Sequence, residues 1–452
     1  MASSSLFASA DADDPLAKQQ KDAQAVSHRI DEDIQESRKA FERRKKAIKI
    51  LLLGRVGKST TLKNFQLAFS PQHFRSERAA WRTIIQLNLI RSIKRLLEVL
   101  QQELDESTQP LRTGAPDKGK GKAATVRFST SPLTDQHRRM RMRLSPLLPI
   151  EEQLTRRLLP DANDRLQDVC VRAGSGWKGL LAGIQQDGGA DGQARAKEPR
   201  RPSTAEGRRD DPTAVLAACR DDIIALWEDP VVRAVLKRRG VRLQDMPGFF
   251  LNDAARIATM GYDPTDEDIV RARLRTLGVE EHRFTMESGA LPGSEWYIYD
   301  VGGSRNNRPM WIPYFDDIQA IIFLAPLAFN LMLEEDTKVN RLEDSIMLWK
   351  EICQNPLLAK TTLILFLNKA TLAAGIRVNK YVPSYGDQPN DVQHVTKYFR
   401  DKFRGYHKRL SPQARSFYWH ETSVVDTRST AAILVGVREG ILRAHLQSVN
   451  VI

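Results

Sequence analysis

Cysteine is scarce in this chain: Cys170, Cys219 and Cys353 are the three in 452 residues, and they lie far apart. That argues against a disulfide framework and against a zinc site with closely spaced ligands. Long apolar runs are also lacking. None reaches the roughly 18 residues of a membrane span, and the opening MASSSLFASADADD is polar and acidic where a secretory leader would be basic and apolar. Ala2 follows Met1 where myristoylation needs glycine, and no cysteine stands nearby for a second lipid, so no strong lipid anchor is expected. Internal repeats are absent. The expected compartment is the cytoplasm.

Acidic residues are in deficit. Lys and Arg number 69 against 56 Asp and Glu, giving +13, a balance that fits nucleic acid, an anionic membrane surface or an acidic protein. Much of the excess sits between about 110 and 210, where it serves to keep a flexible insert soluble. Interleaved aromatics and familiar nucleic-acid modules are missing, so no nucleic-acid partner is expected.

What is present has a clear rhythm. After a polar start, Ala23, Val26, Ile30, Ile34, Ser37 and Phe41 keep one face of a helix that ends in Arg43-Arg44-Lys45-Lys46. Residues 48–53 then form a short apolar run, as a parallel strand buried on both faces would. Past Ser70-Pro71, residues from Trp81 to Leu100 recur at helical intervals over about five turns. Stretches near 114–122 and 188–212 are too polar and Gly-rich to fold tightly. Residues 144–159 and 177–184 between them read as marginal helices. The helical pattern resumes at Ala214 and runs to Leu251. Apolar runs at 296–299, 320–324, 362–367 and 417–420 then alternate with helices, which implies a mostly parallel α/β sheet. About 200 residues of helical sequence therefore interrupt a sheet that began at residue 48.

Between the first strand and the next helix stands Gly54-Arg55-Val56-Gly57-Lys58-Ser59-Thr60. Strand, glycine loop, Lys-Ser-Thr and helix are the parts of a phosphate-binding loop: backbone N–H groups wrap phosphates, lysine neutralises charge and the serine hydroxyl ligates Mg²⁺. The usual spacing puts four residues between the first glycine and Gly-Lys; here only Arg55 and Val56 stand there. By itself the segment is equally compatible with an ordinary strand-to-helix turn. Its neighbours favour phosphate chemistry. Asp300-Val301-Gly302-Gly303 closes one strand, where an acid can hold Mg²⁺ through water and a glycine N–H can sense a γ-phosphate. Asn368-Lys369 closes another, and Thr422-Ser423-Val424 the last. All lie at carboxyl ends of expected parallel strands, where open α/β sheets bind ligands.

The order of these motifs is that of a Ras-like GTPase, and YDPTDEDIVRARLRTLGV at 262–279 narrows the likeness. It resembles the linker and first switch of heterotrimeric G-protein α subunits, which read Y-x-P-T, two residues, then D-V-L-R-x-R-V-K-T-T-G-I. FLND at 250–253, Arg305 and Trp311 in the second switch, and SVVDT at 423–427 add to it. The resemblance covers roughly 20–110 and 213–452. It implies an α/β fold in which a Ras-like P-loop GTPase domain, 47–65 and 266–452, is interrupted by an all-α helical domain, 66–265. Residues 1–46 precede these as a disordered start and amphipathic helix, and a low-complexity basic insert occupies about 108–212.

The resemblance also implies GTP or GDP as the bound nucleotide, with Mg²⁺. Phosphate binding falls to Gly54, Gly57, Lys58, Ser59, Thr60 and Gly303, and the metal to Ser59, Thr276 and Asp300. Arg273 is the arginine that stabilises developing charge in cis, and Ser304 stands where the family's water-orienting glutamine belongs. Base contacts fall to Asn368, Lys369, Thr371, Ser423 and Val424. Three departures weaken these roles. The loop is two residues short, Ser304 is too short to orient water as glutamine does, and Thr371 replaces the aspartate that accepts both guanine hydrogen bonds. Slow hydrolysis and relaxed base choice are expected. Pro309 removes a backbone donor from the second switch. Implied partners are a βγ dimer, a seven-helix receptor at the C-terminal helix and an effector. Weak peripheral contact through the basic run at 43–46 would place the complex at the inner face of the plasma membrane. A degenerate GTPase that binds the same partners without turnover is the competing reading.

Overall fold

The computed structural model describes residues 15–108, 131–158, 170–171, 212–246, 248–276, 278–287, 292–333, 335–368, 376–422 and 427–448. The expectations for the first residues, for a helix at 177–184 and for the polar stretches at 114–122 and 188–211 lie outside them.

Among the described residues eight strands run in chain order: β1 Ile48–Gly54, β2 Cys170–Val171, β3 Arg275–Thr276, β4 Val279–Thr285, β5 Glu295–Val301, β6 Ala320–Pro326, β7 Thr362–Asn368 and β8 Phe417–Thr422. Six form one sheet in the order β4-β5-β1-β6-β7-β8. Every pairing is parallel except β4 with β5, an antiparallel edge that apolar runs alone did not suggest. After β1 the chain builds β4 and β5 on one side and β6 to β8 on the other, so the strand order reverses around β1. Crevices at the carboxyl ends of strands form at such a reversal. The two-residue β2, from within the stretch read as insert, pairs in parallel with β3.

The helices are α1 Pro15–Lys46, α2 Lys58–Phe69, α3 Pro71–Ser76, α4 Arg78–Thr108, α5 Asp135–Arg143, α6 Leu147–Leu158, α7 Pro212–Ala218, α8 Arg220–Glu228, α9 Pro230–Arg238, α10 Ala254–Ile257, α11 Asp266–Arg271, α12 Arg341–Gln354, α13 Val392–Leu410 and α14 Thr427–Ser448. Helix starts follow local chemistry. Asp229 accepts the Val231 and Val232 N–H groups ahead of Pro230, and Asn340 accepts those of Leu342 and Glu343. Residues 131–158, expected to belong to the insert, are ordered parts of the helical layer. Leu133, Met140, Leu144, Leu147, Ile150 and Leu154 are buried against it. Their apolar spacing, not the surrounding charge, decides their place.

Alternation along β1 divides the core. Ile50 and Leu52 join the cluster that contains Phe65 of α2, Leu434 and Val437 of α14 and the helical layer, whereas Leu51 and Leu53 face Trp349 of α12 and Phe399 and Phe403 of α13. Each such buried side chain stabilises the fold by about 1.5–3 kcal/mol, so the central strand is held from both faces. Helix α1 lies apart from this core. Val26, Ile30, Ile34 and Phe41 form the expected stripe and remain exposed, while Arg44 donates to Glu281 of β4 at 2.7 Å.

Gly54 ends β1 with φ of 124°, and a Cβ there would lie 2.2 Å from the Leu324 carbonyl oxygen of β6. No side chain fits. Gly54→Ala is expected to lower stability by about 2 kcal/mol or more through backbone strain and overlap, read as an earlier midpoint in urea unfolding.

Candidate functional site

At the end of β1 the chain turns through Arg55 and Val56, and Gly57, with φ of 87°, caps α2 in the left-handed conformation. Only a residue without a Cβ enters that region freely. The next residue, Lys58, is buried, and its Nζ donates to Gly54 O at 2.7 Å. The lysine therefore bridges the two ends of its own short loop. Gly303 lies directly against this turn: a Cβ on it would sit 2.8 Å from Lys58 Nζ and 2.9 Å from Gly54 O. The loop and the segment after β5 are in contact because both are glycine where they meet.

Parallel pairing of β1 with β5 sets Asp300 beside Leu52, one strand across from the loop. Ser59 Oγ, on the first turn of α2, donates to Asp300 Oδ2 at 2.5 Å. A hydroxyl and a carboxylate oxygen thus converge beside the lysine, a donor set suited to a hard cation such as Mg²⁺ that also takes phosphate and water oxygens. Among the described residues there is no cluster of three acidic, His or Cys ligands that would hold a metal by protein alone. Burial pushes the Lys58 ammonium down to about 8, opposed by Asp300 and assisted by the positive charges of Arg55 and Arg273. Adding an anion to this corner relieves the repulsion.

Arg273 has an exposed side chain and a tightly fixed backbone. Its N–H donates to Asn88 Oδ1 at 2.6 Å, and Asn88 Nδ2 donates to its carbonyl at 3.0 Å. Asn88 belongs to α4, so the helical layer sets the arginine's position. Lys63 on α2 reaches the preceding turn, donating to Ile269 O at 3.0 Å and Ala272 O at 2.6 Å. Burial lowers this lysine to about 7. Thr276 lies in β3, and Ser304 is half-buried at the start of a 3-10 segment, Arg305–Asp317. Pro309 and Pro313 stand inside that segment. Neither proline has a backbone N–H to give to the segment's hydrogen bonds. Asn368 ends β7 opposite Thr422 of β8. Lys369, Thr371, Ser423 and Val424 lie outside the described residues.

The motif at 262–268 has a physical basis. Thr265 and Asp268 form a reciprocal cap on α11, Thr265 Oγ1 accepting from Asp268 N at 3.1 Å and Asp268 Oδ2 from Thr265 N at 3.0 Å. Tyr262 Oη and the Arg256 guanidinium also donate to Asp268. Spacing in the sequence thus encodes one buried carboxylate and its donors.

The sequence model of the G-protein alpha subunit family matches residues 24–441. The chain belongs to the G-protein α-subunit family. A guanine nucleotide-binding protein alpha-4 subunit from Mycosarcoma maydis is 31% identical over 88% of this chain and 83% of its own length. An alpha subunit from Coprinellus congregatus is 33% identical, and an alpha-9 subunit from Dictyostelium discoideum 31%, each over 50% of this chain and 64% and 65% of their own lengths respectively. Family membership is that of a guanine nucleotide-binding α subunit of the GTPase class.

Within this α subunit, sequence reasoning brought Lys58, Ser59, Asp300 and Gly303 to one corner, and the fold unites them. It did not find Asn88, Lys63 or the partners of Arg55. The one available signal was a charged residue inside a glycine loop.

Asp268 gives a pH test. Burial alone would raise its carboxyl, but the donors from Arg256, Thr265 and Tyr262 hold it down to about 2, below the ordinary 3.8. A carboxylate depressed in the folded state lends stability that is full above about pH 4 and lost as pH falls toward 2. Asp268→Asn is expected to lower stability at neutral pH and flatten the acid limb between pH 4 and 2, followed by tryptophan fluorescence in urea.

Proposed function

We propose that this α subunit binds GTP and GDP with Mg²⁺ at the carboxyl ends of β1, β5, β7 and β8, hydrolyses GTP slowly and couples nucleotide state to βγ and effector binding. The observation that carries the reading is the convergence of Ser59 Oγ and Asp300 Oδ2 beside buried Lys58 and Gly303. Lys58 and the loop N–H groups would hold phosphate; Ser59, Thr276 and, through water, Asp300 would hold the metal, which supplies charge neutralisation at the phosphates. Arg273 would stabilise charge that develops on the transferred group. Ser304 leaves the attacking water without glutamine's reach, and Thr371 leaves guanine without its carboxylate partner, so turnover is slow and base choice relaxed.

The partners fitting this reading are a βγ dimer, a seven-helix receptor at α14 and the residues after it, and an effector. No described helix is long and apolar enough to cross a membrane. Weak peripheral attachment of the complex at the inner face of the plasma membrane, with the remainder cytoplasmic, suits the basic end of α1. A second reading, binding of the same partners without nucleotide control, is favoured by the shortened loop, whose lysine is already bonded to Gly54 O. Capture by βγ that is equal with and without added nucleotide would select it.

Titration with fluorescent GTP and GDP tests the first reading. Mg²⁺-dependent saturation is expected, and no binding below millimolar nucleotide would overturn it. Lys58→Ala should weaken affinity by about 10- to 100-fold. With the free lysine near 8, affinity should be level below that pH and fall above it by up to about tenfold per unit, because binding must then take up a proton.

A further inference from the structure

Helix α5 has two unlike faces. His137, Met140 and, just past its end, Leu144 are buried in the helical layer, and His137 Nε2 lies 3.3 Å from Asp229 Oδ2. The start is fixed as well, since His137 Nδ1 accepts the Thr134 N–H at 2.9 Å. Arg138, Arg139, Met142 and Arg143 lie on the other side and are exposed. Spacings of three and four residues set Met142 beside both Arg138 and Arg139. Met142 is 69% exposed, and Leu148, on the first turn of α6, 43%. The nine residues DQHRRMRMR thus place four arginines and one aspartate around an uncovered methionine.

Charge elsewhere in the helical layer is matched. Arg238 and Arg239 meet Glu103, Arg239 also meets Glu106, and Arg91 and Lys94 share Glu151. On α5, Arg138 pairs with Asp135 at 3.3 Å and Arg143 with Asp222 of α8 at 3.2 Å, and pairs so open to water hold their charges weakly. Among the described residues Arg139 and Arg141 meet no carboxylate. The bias continues upstream in the sequence, where Lys118, Lys120, Lys122 and Arg127 stand against Asp117 alone. The face has no aromatic ring on which a base could stack, as a nucleic-acid surface would. An acidic protein would answer the arginines and set Met142 and Leu148 against carboxylates. An anionic bilayer answers both, with lipid phosphates at the guanidinium groups and the acyl boundary at the methionine and leucine. We propose that the outer face of α5 and the first turn of α6 form a membrane-docking surface for anionic lipid, separate from the basic end of α1. This goes beyond the attachment assigned to α1 and does not rest on nucleotide binding.

Co-sedimentation of the full chain with vesicles decides it, using phosphatidylcholine alone and phosphatidylcholine with about 30% phosphatidylserine. The wild type should bind the anionic vesicles at least about tenfold more tightly, and raising salt from about 0.1 to about 0.5 M should remove most of that gain. Arg139→Gln combined with Arg141→Gln should weaken anionic binding about tenfold, and Met142→Ser about threefold or more. The urea-unfolding midpoint should not move in either variant, because the arginines lose no ion pair and the methionine is exposed. Arg43→Gln with Lys45→Gln, at the end of α1, should cost less than the α5 arginine variant. The docking surface is overturned if the two vesicle types bind alike, if both α5 variants bind as the wild type does, or if the α1 variant abolishes binding. Single-stranded RNA binding that the α5 arginine variant loses, with vesicle binding intact, would overturn it in favour of nucleic acid. Fluorescent nucleotide titration of the same variants should match the wild type, so its failure bears on the proposed function and leaves the vesicle comparison to decide the surface.

Discussion

Three backbones crowd together at the carboxyl end of β1, and glycine is what lets them. Gly54 lies against the Leu324 carbonyl, Gly57 turns through a left-handed conformation, and Gly303 rests on Gly54 O and Lys58 Nζ. This approach brings α2, β5 and β6 to a common corner, so that Ser59 reaches Asp300 and Lys58 closes the loop. A side chain at Gly54 or Gly303 would separate these parts. The chemistry of the site is a consequence of that packing.

Electrostatics add a second level of organisation. Two lysines on α2 are buried: Lys58 faces the loop, and Lys63 binds two carbonyls in the turn that leads to Arg273. Their ammonium groups lie below the ordinary lysine range because burial disfavours charge. Asp344 is the counterpart, a buried carboxylate that three arginines surround. Breaking such a cluster by removing one partner is costly because the remaining charges stay buried. The positive corner beside Gly303 therefore favours an anion, while the negative side chain behind it ties Arg305 and Arg308 to α12.

The helical layer does more than cover the sheet. Asn88 from α4 grips both polar groups of the Arg273 backbone, and Gly248 makes space for it: a Cβ there would lie 2.6 Å from Asn88 Oδ1 and 3.0 Å from Arg273 Cβ. An asparagine amide mimics a neighbouring strand and so fixes a single residue without secondary structure. Arg273 thus depends on elements 185 residues away in sequence, and the alignment of its side chain with the phosphate corner depends on how the helical layer sits.

Much of this was legible in the residues themselves. Continuous apolar runs bounded β1, β5, β6, β7 and β8 to within a few positions, because strands buried on both faces carry little polar interruption. Motif order located Lys58, Ser59, Asp300 and Gly303, and the spacing of Tyr262, Thr265 and Asp268 was local enough to encode a helix cap. The edge strand β4 was missed, since its alternating VEEHRFT has no continuous apolar run. Residues 131–143 were left in the basic insert because charge masked their apolar spacing, whereas α6 falls inside the marginal helix read at 144–159. Sequence alone determined the family, the strand ends and the residue types that gather at the candidate site, since these rest on local pattern and order. Tertiary structure alone decided that Arg55, whose partners stand 248 and 280 residues away, faces the second switch. No local pattern carries that information, because a guanidinium's partner is chosen by which backbones the sheet and its glycines bring within reach.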